Sequence, residues 1–427
     1  MRGLSFEKMP NNGARVLWIG GSSALARTYF EEVHPARGVP TMIAAAPMPP
    51  SWQLPPDVKF VSLDLSSEDS VRTLFERLPH RVDSIIFGVR ASLVYGTAEE
   101  HGQLTNNLGL LLRCAAAAGV TSMLHISSIA VADHVTTQHL VRESDPVPPI
   151  DEIPSPYDRF KLRSEQVVDE ICGSEGSPFS VWTHLRISGI FSNDPQCIQC
   201  TAIRRQALAS LATTACIDFN SSRNVGHAIA LVLERQYASS HPEDVSHLCT
   251  ETKYVGRQLY YYTRCTEGPT PYWRHVSDFR RANGYWFGLW FPGWLGDVVV
   301  PPMRALARTV GTEFAKSLDY LMAVASHEHS ADNSAFRRTF PEIGGSEETI
   351  YECFLRLRYR HEEQRRMSGS LRAPYATSLL LLLVLCNCVL PTVLTAVWSS
   401  TAPLRSIFVP PPPPPLPWWQ SMIDSVM

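Results

Sequence analysis

Hydrophobic and polar positions in the first half of the chain fall into short apolar runs separated by longer stretches of helical periodicity. Ala14 to Ile19 (ARVLWI) is an apolar run that leads straight into Gly20-Gly21-Ser22-Ser23-Ala24-Leu25-Ala26, and a helical pattern follows through Val33. Further runs read as strands at VKFVSL, closing at Leu63 before Asp64-Leu65, at DSIIFGV from Asp83 to Val89, and at MLHIS from Met123 to Ser127. A helix rich in Leu and Ala is expected from Leu104 to Ala118, and another strand from Phe179 to Ile187 (FSVWTHLRI). Strands alternating with helices predict an α/β fold with a parallel, doubly wound sheet. Its ligand belongs beyond the carboxyl ends of the strands, where both the glycine turn and Ser127-Ser128 fall.

One helix carries candidate chemistry. Ser155 is a good N-cap, Pro156 fits the first helical position, and Asp158 stands three residues after the cap. Phe160, Val167, Val168 and Ile171 recur at helical spacing up to Gly173. Tyr157 and Lys161 therefore share a face. A free phenol has a pKa near ~10 and is a poor base at neutral pH. An ammonium one turn away favours the phenolate, so the pair could take a proton from an alcohol while a hydride leaves its carbon. The plainer alternative is an amphipathic helix with an exposed Tyr and Lys.

From Ser188 the pattern loosens. Ile217-Asp218-Phe219 is short and apolar, Asn224 to Leu233 reads as a helix, Gln258 to Thr263 as a strand, and Tyr272 to Asn283 as a helix. Irregular segments after a nucleotide-binding sheet suit a smaller substrate lobe. Tyr285 to Val300 is dense in aromatics, which suits either core or a membrane interface. Leu379 to Trp398 holds about twenty residues without a charge, enough to span a bilayer. Six arginines precede it (Arg356, Arg358, Arg360, Arg365, Arg366, Arg372) and Arg405 follows, so the N-terminal part is expected on the cytosolic side. The domain expectation is 1–187 nucleotide-binding, 188–365 substrate lobe with strands or helices able to return to the sheet, 366–378 basic linker, 379–398 transmembrane helix and 399–427 polyproline tail. Pro410 to Pro415 reads as polyproline II, and residues 410–417 as a stiff spacer or a ligand for a proline-binding module.

Composition narrows the classes. A hydrophobic share of 44% with 19% charged residues is globular, and a net charge of -3 gives no case for a nucleic-acid partner. Met1 to Asn12 is polar, so no signal peptide is expected. The 10 cysteines are scattered, as in a reducing compartment, and Cys197-x-x-Cys200 lacks a second pair at zinc spacing, so no metal site is expected. His327-Glu328-His329 reads as surface. Asn220-Ser221-Ser222 is a glycosylation sequon, expected unmodified on a cytosolic domain.

Taken together, the glycine turn, Asn106-x-x-Gly109, Ser127-Ser128 and Tyr157-x-x-x-Lys161 resemble the extended short-chain dehydrogenases/reductases. More narrowly, Ile126-Ser127-Ser128-Ile129-Ala130-Val131, Leu185-Arg186-Ile187-Ser188-Gly189-Ile190-Phe191, Asn224-Val225-Gly226-His227-Ala228 and Gln258-Leu259-Tyr260-Tyr261-Tyr262 resemble the 3β-hydroxysteroid dehydrogenase/isomerase branch. The resemblance covers roughly residues 14 to 365, and the C-terminal span fits membrane-bound members of that branch. It implies a Rossmann-like sheet and an NAD cofactor, with NADP not excluded. Ser128 would hydrogen-bond the reacting oxygen, with Ser127 its neighbour and substitute. Tyr157 would be the acid–base group, and Lys161 would hold the nicotinamide ribose and lower the Tyr157 pKa. Gly20, Gly21, Ser23 and Ala26 would surround the pyrophosphate, Asp64 and Leu65 would line the adenine pocket, and Asn106 would be structural.

This chain departs from the family pattern at several positions. Ser23 and Ala26 replace the later glycines of Gly-Gly-x-Gly-x-x-Gly, and Ala44-Ala45-Ala46 ends the second strand where an acid normally takes the ribose hydroxyls. Ile187 replaces a proline, and Gly88 stands where a histidine is frequent. The resemblance implies an enzyme at the endoplasmic reticulum membrane, oxidising a 3β-hydroxysteroid or similar apolar alcohol. The alternatives are a reductase on another lipid and a non-catalytic dinucleotide-binding or scaffold protein.

Overall fold

The apolar runs fold into seven parallel strands. They are β1 (Arg15–Ile19), β2 (Thr41–Ala46), β3 (Lys59–Ser62), β4 (Ser84–Phe87), β5 (Ser122–Ser128), β6 (Val181–Ile187) and β7 (Gly256–Tyr262). Their spatial order is β7-β6-β5-β4-β1-β2-β3. The computed structural model describes residues 15–37, 41–89, 97–132, 138–153, 155–192, 197–207, 209–212, 215–240, 254–264, 267–285, 288–292 and 328–368. β4 and β5 are buried along their whole length, and β1 and β2 beyond their first residue, as expected of a parallel sheet covered on both faces. On one face Trp18, Leu124 and Ile126 pack with Tyr29, Phe30 and the Ser222–Ser240 helix. On the other, Leu17, Ile85 and Met123 pack with Leu108, Leu111, Val167 and Val168. Strand order reverses between β1 and β4, so a crevice opens there at the carboxyl ends.

Three helices differ from expectation for physical reasons. The helix after the glycine turn continues past Val33 as Ala24–Thr28, a π-helical turn Tyr29–Val33, and His34–Arg37. That wide turn brings the adjacent Tyr29 and Phe30 together against Trp18, with ring centroids 5.0 and 5.4 Å away. The helix expected from Leu104 starts at Ala98, because Thr97 and Glu100 form a capping box ahead of the apolar stripe. The third, Ser222–Ser240, is longer than the expected Asn224–Leu233, and every residue from Val225 to Leu233 is buried. A helix buried all round shows no amphipathic period from which to read its ends.

Beyond Ile187 the chain returns β7 to the main sheet, pairing it with β6 from Gly256↔Val181 to Tyr262↔Ile187. It also forms short parallel ladders, Gly189–Phe191 with Phe219–Ser221 and Ala209–Ala212 with Leu289–Pro292. Phe191, Ile203, Phe219, Tyr272, Val276, Phe279 and Phe354 build a separate core there. From the aromatic segment, Trp290 is exposed and stacks edge-on against exposed Trp273 at 6.1 Å.

Asn220 requires a correction. It is fully buried, and its Oδ1 accepts from Ser221 N–H at 2.9 Å and Asn224 Nδ2 at 3.0 Å. A glycan on Asn220 is therefore incompatible with this packing, whichever side of a membrane the domain occupies.

The chain divides into two units, Met1–Leu371 and Arg372–Met427. The expected span at Leu379–Trp398 and the polyproline tail lie outside the described residues. Among the described residues, no helix is long and apolar enough to cross a membrane.

Candidate active site

The glycine turn sits where strand order reverses. Gly20 has φ +86°, and the N–H groups of Gly20 and Gly21 both donate to Ala45 O, at 2.9 and 3.0 Å. A Cβ at Gly20 would come within 2.8 Å of Gly88 O, and one at Gly21 within 2.7 Å of Ala44 Cβ. Both glycines are thus required by close backbone approach between β1 and its neighbours. Ser23 turns its hydroxyl onto its own helix, accepting from Ala26 N–H at 3.3 Å as the N-cap. Ala26 is fully buried. Gly88 has its own explanation, because a Cβ there would lie 2.8 Å from Trp18 Nε1. Trp18 fills the space that a residue-88 side chain would need.

The adenosine side differs from expectation in two respects. Ala45 is fully buried among Leu17, Ile43 and Leu63. A carboxylate at that position would lie in the core, so position 45 is not where a ribose acid could act. Asp64 is exposed, and its Oδ1 accepts from Ser66 N–H at 2.8 Å and Ser66 Oγ at 2.7 Å. Those bonds hold its pKa below the usual carboxylate value. Buried Leu65 accepts at its carbonyl from Asn107 Nδ2 at 2.5 Å. Asn106, expected to be structural, is exposed, and it is its buried neighbour Asn107 that makes this bond.

The Pro156–Cys172 helix starts as expected, with Asp158 N–H donating to Ser155 Oγ at 3.3 Å. Lys161 descends from it to the strand ends, where Nζ donates to Ile126 O at 2.9 Å and Val89 O at 3.2 Å. That ammonium lies 5.9 Å from the ring centroid of half-buried Tyr157. Burial lowers the Lys161 pKa to about 8, with Glu165 opposing the shift. Ser128, at the end of β5, accepts from Ala130 N–H at 3.2 Å. Ser127 does not stand in for it. Its hydroxyl donates to Glu165 Oε1, between helix and sheet. Tyr157, Lys161 and the end of β5 are thus placed around one set of strand ends next to the glycine turn.

Sequence reasoning missed how the stripe continues. Tyr157, Lys161, Glu165 and Asp169 recur every four residues along the face turned to the sheet. Glu165 holds Arg186 through bonds of 2.9 and 2.7 Å, and Arg186 donates onward to Tyr261 Oη at 2.7 Å. Asp169 accepts from Trp182 Nε1 at 2.7 Å and Arg257 Nε at 2.8 Å, and pairs with His184 Nε2 at 2.9 Å. The i, i+4 spacing of the acids behind Lys161 was the available signal. Their partners on β6 and β7 had none.

What fits a dinucleotide at the turn is the helix N-terminus that begins after Ser23, beside exposed Ser22 at the reversal point, while the Gly20 and Gly21 N–H groups are taken by Ala45 O. Lys161 and Tyr157 would then flank the nicotinamide ribose. No carboxylate among Ala44, Ala45 and Ala46 meets the adenosine ribose.

Solved structures similar to this chain share its fold at low identity. The terminal R domain from the myxalamid PKS-NRPS biosynthetic pathway is 16% identical with a TM-score of 0.58, covering 86% of this chain and 94% of that one. UDP-glucose 4-epimerase from Bifidobacterium longum, solved with NAD+ and UDP, is 14% identical with a TM-score of 0.54, covering 82% and 98%. DesIV, the dTDP-glucose 4,6-dehydratase of Streptomyces venezuelae solved with NAD and TYD, is 16% identical with a TM-score of 0.55, covering 83% and 98%. No curated protein matches the sequence. The family model that does match spans residues 22–246, more than half of the 427 residues, and the chain belongs to the NAD dependent epimerase/dehydratase family, a part of the extended short-chain dehydrogenases/reductases whose cofactor is NAD.

Proposed function

We propose that this protein is an NAD-dependent oxidoreductase that oxidises a secondary alcohol on an apolar small molecule, with a 3β-hydroxysteroid as the preferred class. The observation that carries the reading is Lys161, a buried ammonium held by Ile126 O and Val89 O one helical turn from Tyr157. Bound NAD supplies the hydride acceptor. Tyr157 takes the hydroxyl proton, its phenolate favoured by the Lys161 charge, and Ser128 hydrogen-bonds the reacting oxygen. The steroid class is supported by the motifs around Ser128, Arg186 and Asn224. An uncharged stretch at Leu379–Trp398 adds support, since an anchored enzyme meets substrates that partition into lipid. A non-catalytic dinucleotide-binding protein is the second reading, favoured by the Ser23 side chain at the turn and the missing ribose acid.

The test is reduced-nicotinamide absorbance with detergent-solubilised full-length protein, NAD and a panel of hydroxysteroids, plain apolar secondary alcohols and nucleotide sugars. Turnover with the hydroxysteroids and none with the sugars is expected. Reduction by no alcohol overturns the oxidoreductase reading, and recovery of the chain in the soluble fraction without detergent contradicts the anchor.

A further inference from the structure

The Ala98–Ala117 helix buries His101, Thr105, Leu108 and Leu112, which share one face at helical spacing. Leu108 and Leu112 join the core that also holds Val167 and Val168 of the Tyr157 helix. A leucine would suit position 101 on this stripe, whereas a buried imidazole needs partners for two nitrogens. His101 Nδ1 has one. It lies 3.1 Å from Pro156 O, and a carbonyl only accepts, so that nitrogen carries a proton. His101 Nε2 is buried and has no hydrogen-bond partner among the described residues. An unpaired buried nitrogen is unfavourable, and structures retain few of them. What the histidine supplies in return is the bond to Pro156.

That bond lands on the first turn of the catalytic helix. Pro156 opens the helix and Tyr157 follows it directly. The His101 ring also lies against the buried Phe160 ring of the same turn, with centroids 5.3 Å apart. The helix's own cap is long, since Asp158 N–H reaches Ser155 Oγ only at 3.3 Å. His101 therefore joins this turn to a neighbouring helix through backbone on one side of Tyr157 and a ring on the other. A phenol oxygen stands at the far end of its side chain, so a small tilt of the turn moves the oxygen further than the backbone.

We propose that His101 is a positioning residue for Tyr157, fixing the first turn of the catalytic helix through Pro156 O so that the phenol oxygen meets the substrate hydroxyl. The inference rests on the oxidoreductase reading above. His101 acts through the backbone of Pro156 and transfers no proton itself. Lys161 stands one turn further along and keeps its own anchors at Val89 O and Ile126 O. Loss of the His101 bond should therefore disturb the reacting geometry at Tyr157 and leave cofactor binding alone.

Two variants of the solubilised full chain separate this from packing. His101→Leu fills the space without a donor, and His101→Asn keeps a donor near the Nδ1 position in a smaller side chain. With an alcohol that wild type oxidises, His101→Leu should lose about tenfold or more in kcat, with its KM for NAD within about twofold and no lower melting temperature. His101→Asn should keep kcat within about threefold. A packing role predicts the reverse, an active His101→Leu and an impaired His101→Asn. That order, equal losses in both, or an unchanged kcat in His101→Leu overturns the proposal and leaves the oxidoreductase reading standing. A wild type with no turnover overturns that reading, and the positioning role with it. Should the variants fail to fold, nitrogen-15 spectra of the wild-type histidines decide. His101 protonated at Nδ1 supports the bond, and a bare Nδ1 overturns it.

Discussion

Lys161 places an ammonium against two backbone carbonyls, Val89 O and Ile126 O, and 5.7 Å from the Phe160 ring centroid, with 4% of its surface exposed. Burial lowers its pKa from 10.5 to about 8, so between those values the folded chain binds fewer protons than the unfolded one. Stability therefore rises with pH across that window, the reverse of a lysine that gains a partner on folding. Relative to Lys161→Met, wild type should gain about 2 kcal/mol between about pH 7.5 and pH 9.5 in urea unfolding. Parallel curves for the two proteins would contradict the burial of a charged Lys161. The helix that carries Tyr157 and Lys161 was legible in the sequence because its N-cap signal and apolar spacing are local, and the place of Ser128 because an apolar run ends there. The bond from Asn107 was not, since adjacent helical positions differ only in which one meets Leu65, 42 residues away. Ser127 was hidden for the same reason, its partner Glu165 standing 38 residues further on.

The Tyr157 helix meets the sheet through a buried polar seam. Glu165 and Arg186 are 3% and 2% exposed at their side chains, and each is the other's main counter-charge. Glu165 shows the balance of effects: burial alone would raise its pKa, but the Arg186 bonds and charge bring it below the usual value. Losing either partner strands the other charge in the interior. Glu165→Leu should lose about 3–5 kcal/mol in urea unfolding, and Arg186→Met a similar amount. The double variant should lose less than the two losses combined, by about 1–3 kcal/mol. Additive losses would show that the pair does not act as a unit. Most strand positions were readable because a sheet buried on both faces leaves continuous apolar runs. Element ends were read less well. A polar first turn hid Ala98, and uniform burial hid the limits of the Ser222–Ser240 helix.

At the scale of the whole molecule, the strand order β3-β2-β1-β4-β5-β6-β7 brings the glycine turn of β1 next to the ends of β4 and β5. Lys161 grips the backbone at Ile126 within β5 and at Val89 just past β4. Alternation of strands and helices made the sheet legible from the sequence. The β7 strand was legible as a short run at Gln258 to Thr263 in a segment expected to return elements to the sheet, but its partner was not, because pairing between strands so far apart leaves no local mark. The account's central claim is that proton transfer at Tyr157 accompanies NAD reduction in this crevice. The most direct measurement compares wild type with Tyr157→Phe in the solubilised full chain, following reduced-nicotinamide absorbance with an apolar secondary alcohol and NAD binding by calorimetry. The account predicts turnover in wild type, a loss of about a thousandfold or more in Tyr157→Phe, and NAD affinity within about twofold, because only the reacting hydroxyl is removed. Undiminished turnover in Tyr157→Phe would contradict it.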